Sequence, residues 1–271
     1  MTDQDRNPVY DIGASTLATM GKIGGMVLLL GQVLRWVLAG LFRRQVRFRW
    51  KSLTEQMVRV GVKSLPIVVL AQLFIGVILA LQMTPPLEGY NSQHQVAVII
   101  GIAGFRMLGP IITAVLLSGF AGASIAAELG TMVVAEEIEA MEATALNPVR
   151  FLVVPRVLAT FIVTLLLTVM ADLMIALGGY LTSRMVLGAT SYVGYWDRMR
   201  ESLEYRDFYT GLIQAGVFGV LISLIACYEG LKVTGGAEGV GRATTMTVVY
   251  SIVSIIAAAC VFTAIFFTFG L

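Results

Sequence analysis

The residue types that usually carry catalysis or bind metal ions are few in this chain and widely scattered. Its 271 residues include one histidine, His94, in a polar stretch, and two cysteines, Cys227 and Cys260, inside apolar runs. None of the three has a second ligand type at the spacing of a metal site. An intramembrane enzyme would need a positioned nucleophile and base or a metal cluster, and neither is visible. We therefore expect no catalytic residue and no metal site in this sequence.

Two charged residues, Arg106 and Asp172, stand inside long apolar runs. Ionisable groups buried in lipid are costly, and they usually face a partner or a water-filled cavity. One interpretation is that Arg106 and Asp172 pair with each other across two neighbouring spans. The other is that each lies close enough to an interface for its side chain to reach the headgroups.

The overall composition is that of a membrane protein with several spans. Hydrophobic residues make up 57% of the chain and charged residues 13%, with a mean hydropathy of +0.84. A soluble domain carries about 25% charged residues. This composition excludes a soluble enzyme, a disordered scaffold and a nucleic-acid-binding module, so we expect no nucleic acid among the partners.

Five stretches are long and apolar enough to cross a bilayer, which predicts an all-α integral membrane protein whose spans lie within residues 62–271. Pro85-Pro86 is expected to close the first span. The second would be a helix of about 48 Å against a hydrocarbon core of about 30 Å. It should therefore tilt, bend at Gly109-Pro110 or project into the cytosol. The predicted spans are residues 62–83, 96–127, 157–187, 208–228 and 246–269.

The distribution of basic residues orients these spans. Fourteen Lys and Arg fall on one side and four on the other, so the positive-inside rule places the basic N-terminal region, residues 1–61, in the cytoplasm. The segment Ile12–Phe42 is ambiguous, because it is apolar yet contains Lys22 and Arg35. It is either a sixth span or an amphipathic helix lying in the interface, and loop charge does not decide between them.

Small residues recur at every fourth position in two of the spans. Residues four apart lie on one face of a helix, so each series forms a smooth strip that allows close backbone approach. Such strips favour helix packing, either within the chain or at a homodimer seam. One series is Ser118, Gly122, Ala126 and Gly130, and the other is Gly211, Ala215, Gly219 and Ser223.

The segment Glu128–Pro155 is rich in glutamate and predicts a short amphipathic helix between two spans. Ile138, Met141 and Ala145 follow helical spacing, and Asn147-Pro148 is expected to end the helix. On the cytoplasmic side such a helix is either a solvated loop or a docking helix for a soluble partner. In the second case Ile138 and Met141 would be the apolar anchors.

Two long runs in this region resemble a known family. The first is LGPIITAVLLSGFAGASIAAELGTMVVAEEIEAMEATALNPVRFLVVPRVLA, and the second is EGLKVTGGAEGVGRATTMTVV. Both are similar to the MlaE/YrbE permeases of MCE-type lipid ABC transporters. Together with the span pattern, the resemblance covers most of residues 62–271.

The resemblance implies a homodimer of five-span chains in the inner membrane, each chain preceded by an interfacial helix. It implies that a separate ABC ATPase binds ATP and Mg, that a periplasmic MCE protein is a partner, and that phospholipid or another hydrophobic lipid is moved. A small cytoplasmic accessory subunit is also compatible with it. By similarity, the ATPase-coupling helix lies in Glu128–Pro148. The residues assigned to it are Glu128, Gly130, Glu136, Glu137, Ile138, Glu139, Met141, Glu142, Asn147 and Pro148.

The sequence departs from the family pattern at three positions. Met107 stands where Glu is usual, Phe120 where Arg is common and Ala259 where Asp is frequent. We interpret this as a buried charged pair that has become apolar, an exchange that is often neutral or stabilising. The alternative function is an ion-coupled secondary carrier, but such carriers often show inverted repeats and none is visible.

Overall fold

The computed structural model describes residues 8–42, 50–90, 92, 95–186 and 193–270, and these ranges are mainly helical. No β-strand occurs within them, so the predicted all-α class is confirmed. The helices are α1 (Pro8–Phe42), α2 (Trp50–Glu88), α3 (Val96–Val134), α4 (Glu137–Ala143), α5 (Val149–Met185), α6 (Tyr195–Ser202), α7 (Tyr205–Leu231) and α8 (Gly236–Phe269).

Six of these helices are long and apolar enough to cross a membrane: α1, through its stretch Met20–Gly40, and α2, α3, α5, α7 and α8. Each predicted span lies almost wholly within one of the last five. The helices run beyond the predicted ends because their polar terminal turns lack the apolar content by which a span is recognised. The predicted boundary at residue 62 falls inside the continuous helix α2.

Two side-chain contacts of α1 lie at one end of the bundle. Its Lys22 lies 4.0 Å from Glu229 near the end of α7, and Arg150 near the start of α5 stacks on its Trp36 at 5.2 Å. Consecutive spanning helices alternate in direction, so the end of α7 and the start of α5 belong to the same end of the bundle. Lys22 and Trp36 are about 21 Å apart along α1. This arrangement favours a helix lying across that end, which we call the basic end.

A topology measurement distinguishes the two placements of α1. If α1 lies in the interface, an epitope tag fused at Thr2 should stay inaccessible to a membrane-impermeant reagent applied from the periplasm. Tags in the loop after α3 and in the loop after α5 provide the protected and the labelled reference. Labelling of the Thr2 tag to the level of the second reference would show that α1 is a sixth span.

Prolines do not interrupt the long helices where the sequence suggested. Helix α2 continues through Pro85 and Pro86 and ends at Glu88, two residues after the second proline. Helix α3 passes through Pro110 directly after a π-helical turn, Gly104–Leu108. A widened turn is one way in which a membrane helix accommodates a proline. At 39 residues, α3 is about 58 Å long and must tilt or project beyond the hydrocarbon core.

Glycines set how closely the helices approach. A Cβ added at Gly76 of α2 would collide with the carbonyl oxygen of Ile175 on α5. A Cβ added at Gly178 of α5 would collide with the carbonyl oxygen of Leu73 on α2. Helices α2 and α5 are therefore in backbone contact on both sides of one crossing, which fixes their register.

The two predicted series of small residues also lie in contacts within the chain. Gly211 of α7 packs against the backbone of Phe105 in α3, and a Cβ at Gly219 would lie 2.7 Å from Thr164 Oγ1 of α5. On α3, Gly122 faces Ile222, and Gly130 faces Val233 beyond the end of α7. Ala126 and Ala215 are fully buried, and Ser118 is buried with its hydroxyl donating to its own helix. The structure thus places these strips between α3, α5 and α7.

Candidate functional site

Three charged side chains from three helices meet at the basic end. Glu128 of α3 lies between two arginines, with Arg59 Nη1 of α2 at 2.8 Å from its Oε2 and Arg156 Nη2 of α5 at 3.1 Å from its Oε1. The Arg59 contact is an ion pair without a hydrogen bond, since Glu128 Oε2 has no hydrogen-bond partner among the described residues. Arg156 is only 4% exposed, and its Nη1 also donates to the carbonyl of Leu152.

This triad joins three helices through one carboxylate. A buried guanidinium without a counter-charge is strongly destabilising, so Arg156 depends on Glu128 for its place in the core. Glu128 was predicted to belong to the coupling segment, whereas Arg59 and Arg156 were not predicted to be site residues. The sequence does contain a signal for this pair, because Glu128 and Arg156 each stand within an apolar run near the basic end. Charged groups in such runs are usually paired.

Helix α4 follows α3 after a single tight turn and is closed at both ends. Glu136 takes a left-handed conformation (φ 56°) between α3 and α4, and Ala145 takes the same conformation (φ 60°) after α4. The amide of Leu146 donates to the carbonyl of Met141, and the Thr144 hydroxyl donates to the same carbonyl. These bonds satisfy the terminal carbonyls, as in the usual left-handed helix ends. The connection from α3 to α4 is therefore short and well defined.

The exposed face of α4 is acidic. Glu136, Glu137, Glu139 and Glu142 are all exposed, whereas Ile138 and Met141 are half-buried. Part of the half-buried pair therefore packs against this chain and part stays accessible, so the role of Ile138 and Met141 as anchors for a partner stays a prediction. Exposed apolar side chains also lie beside α4, at Val134 and Leu146. The periodicity of the sequence predicts an acidic face and an apolar face on α4. How α4 packs against the bundle decides which of the two faces is covered.

Asn147-Pro148 begins α5 and does not end α4, contrary to the sequence interpretation. Asn147 Oδ1 accepts a hydrogen bond from the amide of Arg150, and Pro148 is the first helical residue. Asparagine at the N-cap and proline at the next position are a preferred helix start. The helix α4 had already ended at Ala143.

Arg106 does not pair with Asp172, which was one of the two interpretations of these charged residues. Arg106 Nη1 lies 3.6 Å from Asp207 Oδ1, at the start of α7. Asp207 also caps α7, because its Oδ2 accepts from the amide of Glu204. Asp172 is buried in α5, and its Oδ1 has no hydrogen-bond partner among the described residues. Which charged residue Arg106 meets depends on how the helices are rotated about their axes. That rotation cannot be read from the spacing of residues along the sequence.

The three positions that depart from the family pattern, and the metal-binding residue types, are placed as follows. Met107 and Phe120 are both exposed and lie 13 residues apart on α3, about 20 Å along the helix, so they are not the two halves of one buried pair. Ala259 is buried. His94 lies outside the described residues. Within the described ranges, no group of three or more His, Cys, Asp or Glu side chains is placed to hold a metal ion.

Comparison with known proteins places this arrangement in a family. The sequence model described as "Permease MlaE" matches residues 53–265. A probable ABC transporter permease protein of Rickettsia felis is 37% identical over 213 residues, which are 79% of this chain and 82% of the relative. The intermembrane phospholipid transport system permease protein MlaE of Haemophilus influenzae is 32% identical over 227 residues, 83% of this chain and 87% of the relative.

A plant protein also matches. The chloroplastic protein TRIGALACTOSYLDIACYLGLYCEROL 1 of Arabidopsis thaliana is 32% identical over 240 residues, which are 89% of this chain and 67% of the relative. Bacterial and chloroplast relatives therefore align with most of this chain. With the family match spanning the bundle and six apolar helices of membrane-spanning length, this chain is a multi-pass membrane protein that belongs to the MlaE permease family.

Proposed function

We propose that this chain is the membrane-spanning subunit of an ABC transporter that moves phospholipid or another hydrophobic lipid between the inner membrane and a periplasmic MCE lipid-binding protein. A separate ATPase subunit binds ATP and Mg and supplies the energy. Two copies of the chain form the membrane part. The family, the ABC transporter names of the relatives and the phospholipid named in the Haemophilus relative support this proposal.

The observation that carries the proposal is the acidic helix α4 at the basic end. It presents exposed glutamates beside exposed Val134 and Leu146, a mixture of charge and apolar surface suited to a protein groove. Charged groups at such a surface mainly set orientation and association rate, while the apolar residues supply contact area. The positive-inside rule puts this end in the cytoplasm, where an ATPase would meet it.

The triad connects movement of α4 to the other helices of the bundle. Glu128 lies on α3 about two turns before its end, and α4 follows α3 directly. A displacement of α4 by the ATPase would move the end of α3 and, through Asn147-Pro148, the start of α5. Because Glu128 holds Arg59 and Arg156, α2 and α5 follow α3. Interfaces of this kind transmit movement by shifts of packed helices.

At the opposite end, a cavity lies between α3, α7 and α8. It is lined by the Arg106–Asp207 ion pair and by Phe266 and Phe267, the second of which is highly exposed. Charged groups next to aromatic rings match the boundary between the headgroup and the acyl chains of a lipid. We therefore place lipid contact at this end, where an MCE partner would meet it.

Charge reversal on α4 tests the coupling. The double variant Glu136→Lys, Glu137→Lys should reduce retention of the ATPase subunit about tenfold at low salt if the glutamates meet a basic groove. The loss should be largest at low ionic strength, where screening is weakest. The measurement is pull-down of the ATPase by the tagged permease from nanodiscs over a series of salt concentrations.

The matched control is Glu201→Lys, an exposed glutamate near the opposite end. It should retain the ATPase at the wild-type level, and both variants should insert normally into the membrane. Wild-type retention by the double variant at every salt concentration would mean that α4 is an ordinary solvated loop. If even the wild-type chain retains no ATPase, an ion-coupled carrier becomes the better explanation.

A further inference from the structure

The carboxyl group of Asp172 is buried in the middle of the bundle with an unsatisfied oxygen. Asp172 is 2% exposed, and its Oδ1 has no hydrogen-bond partner among the described residues. A buried ionised carboxylate without a partner is among the most expensive arrangements in a low-dielectric interior. The site must therefore remove or balance the charge.

A second unsatisfied acceptor lies on the facing helix. Gln72 of α2 is fully buried, and its Nε2 donates to the carbonyl of Gly109 at 3.3 Å and to Thr113 Oγ1 at 3.1 Å. These two bonds use both amide hydrogens. Among the residues that the structure describes, none donates to Gln72 Oε1.

Both acceptors border the same glycine of α3. A Cβ added at Gly109 would collide with Asp172 Oδ1, while the carbonyl of Gly109 accepts the bond from Gln72. The register of α2 on α5 agrees, because Gly61 faces Val163 and Gly76 faces Ile175. This register brings Gln72 close to the level of Asp172, so both side chains lie beside Gly109.

Among the residues that the structure describes, no charged side chain on the helices packed around Asp172 forms an ion pair with it. On α3, Arg106 is paired with Asp207 of α7, and Glu128 is paired with the arginines of the triad. The charged groups of α2, at residues 51, 55, 59, 63 and 88, lie two or more turns from Gln72. The nearby Tyr195 of α6 donates its hydroxyl to the carbonyl of Ala176. Along α5 itself, the nearest charged residues are Arg156 and Arg184.

We propose that Asp172 and Gln72 form a proton-binding site inside the membrane part of this permease. One proton on the carboxyl group removes the negative charge and creates an O–H donor. That donor is directed at Gln72 Oε1, so a single proton accounts for both unsatisfied acceptors. The Asp172–Gln72 site then joins α2, α3 and α5 by hydrogen bonds without any ion in the bilayer.

Infrared spectroscopy tests the proton directly. The purified chain in nanodiscs should show the C=O stretching band of an unhydrated carboxylic acid at neutral and mildly alkaline pH. The band should shift when aspartate is supplied with ¹³C at its side-chain carboxyl, and it should disappear in Asp172→Asn. The isotope shift assigns the band to aspartate even if that variant folds poorly. Absence of an aspartic acid band at neutral pH would overturn the proposal.

Two further measurements separate a proton from a bound cation. If Asp172 is ionised and holds a cation, sodium chloride should change its carboxylate band where choline chloride does not, and that result would also overturn the proposal. Asp172→Asn carries a permanent N–H donor in the same shape, so its thermal unfolding midpoint should equal that of the wild type. Asp172→Leu lacks the donor and should unfold at a clearly lower temperature. Equal midpoints for Asp172→Asn and Asp172→Leu would show that no hydrogen bond to Gln72 is made.

Discussion

Replacing Glu128 with glutamine is expected to destabilise the folded chain by about 3 kcal/mol, because it leaves Arg156 buried without its counter-charge. Arg156 is 4% exposed and Glu128 is 25% exposed, which places the effect at the lower end of the range for a broken buried pair. In a chain of this size, the unfolding midpoint should fall by roughly 6–12 °C. The measurement is thermal unfolding of the purified chain in a mild detergent.

Arg59→Gln is the matched control for this prediction. Its guanidinium touches the same carboxylate but is 44% exposed, so its loss should cost less than about 1 kcal/mol. If Glu128→Gln lowers the midpoint no more than Arg59→Gln, the stability of buried Arg156 does not depend on Glu128. In the assembled transporter, Glu128→Gln should also weaken the coupling of ATP hydrolysis to lipid movement. The reason is that the ion pairs joining α3 to α2 and α5 would be lost.

Gly178→Ala is expected to prevent close packing of α2 against α5. The added Cβ would collide with the backbone carbonyl of Leu73, and a backbone atom cannot rotate away as a side chain can. Overpacking of a tight core costs about 1–3 kcal/mol and sometimes more, so we expect a cost of about 3 kcal/mol or failure to fold. The yield of monodisperse protein in size-exclusion chromatography and the unfolding midpoint both report the effect.

Gly119→Ala provides the comparison within another spanning helix. Apart from its own helix backbone, no heavy atom of the described residues lies within 4 Å of a Cβ added at Gly119, and alanine is favoured over glycine in a helix by about 0.5–1 kcal/mol. Gly119→Ala should therefore fold at least as well as the wild type. Equal yields and midpoints for the two variants would show that the α2–α5 contact tolerates separation.

The sequence contained the spanning helices and the acidic segment because both depend on local properties. In a bilayer every backbone amide must be satisfied within its own segment, so long apolar runs can only be helices. Helix ends were less certain. Asn147-Pro148 is compatible with the end of one helix and the start of the next, and the hydrogen bond from Arg150 to Asn147 decides for the start.

The tertiary structure alone decided which side chains meet. Arg106 pairs with Asp207 and not with Asp172, and Glu128 joins Arg59 to Arg156. Each pairing depends on the rotation and register of one helix against another, which are set by contacts such as Gly178 with Leu73. Composition and periodicity describe one helix at a time. Which charged side chains become partners therefore depends on the glycine contacts that set the register of the packed helices.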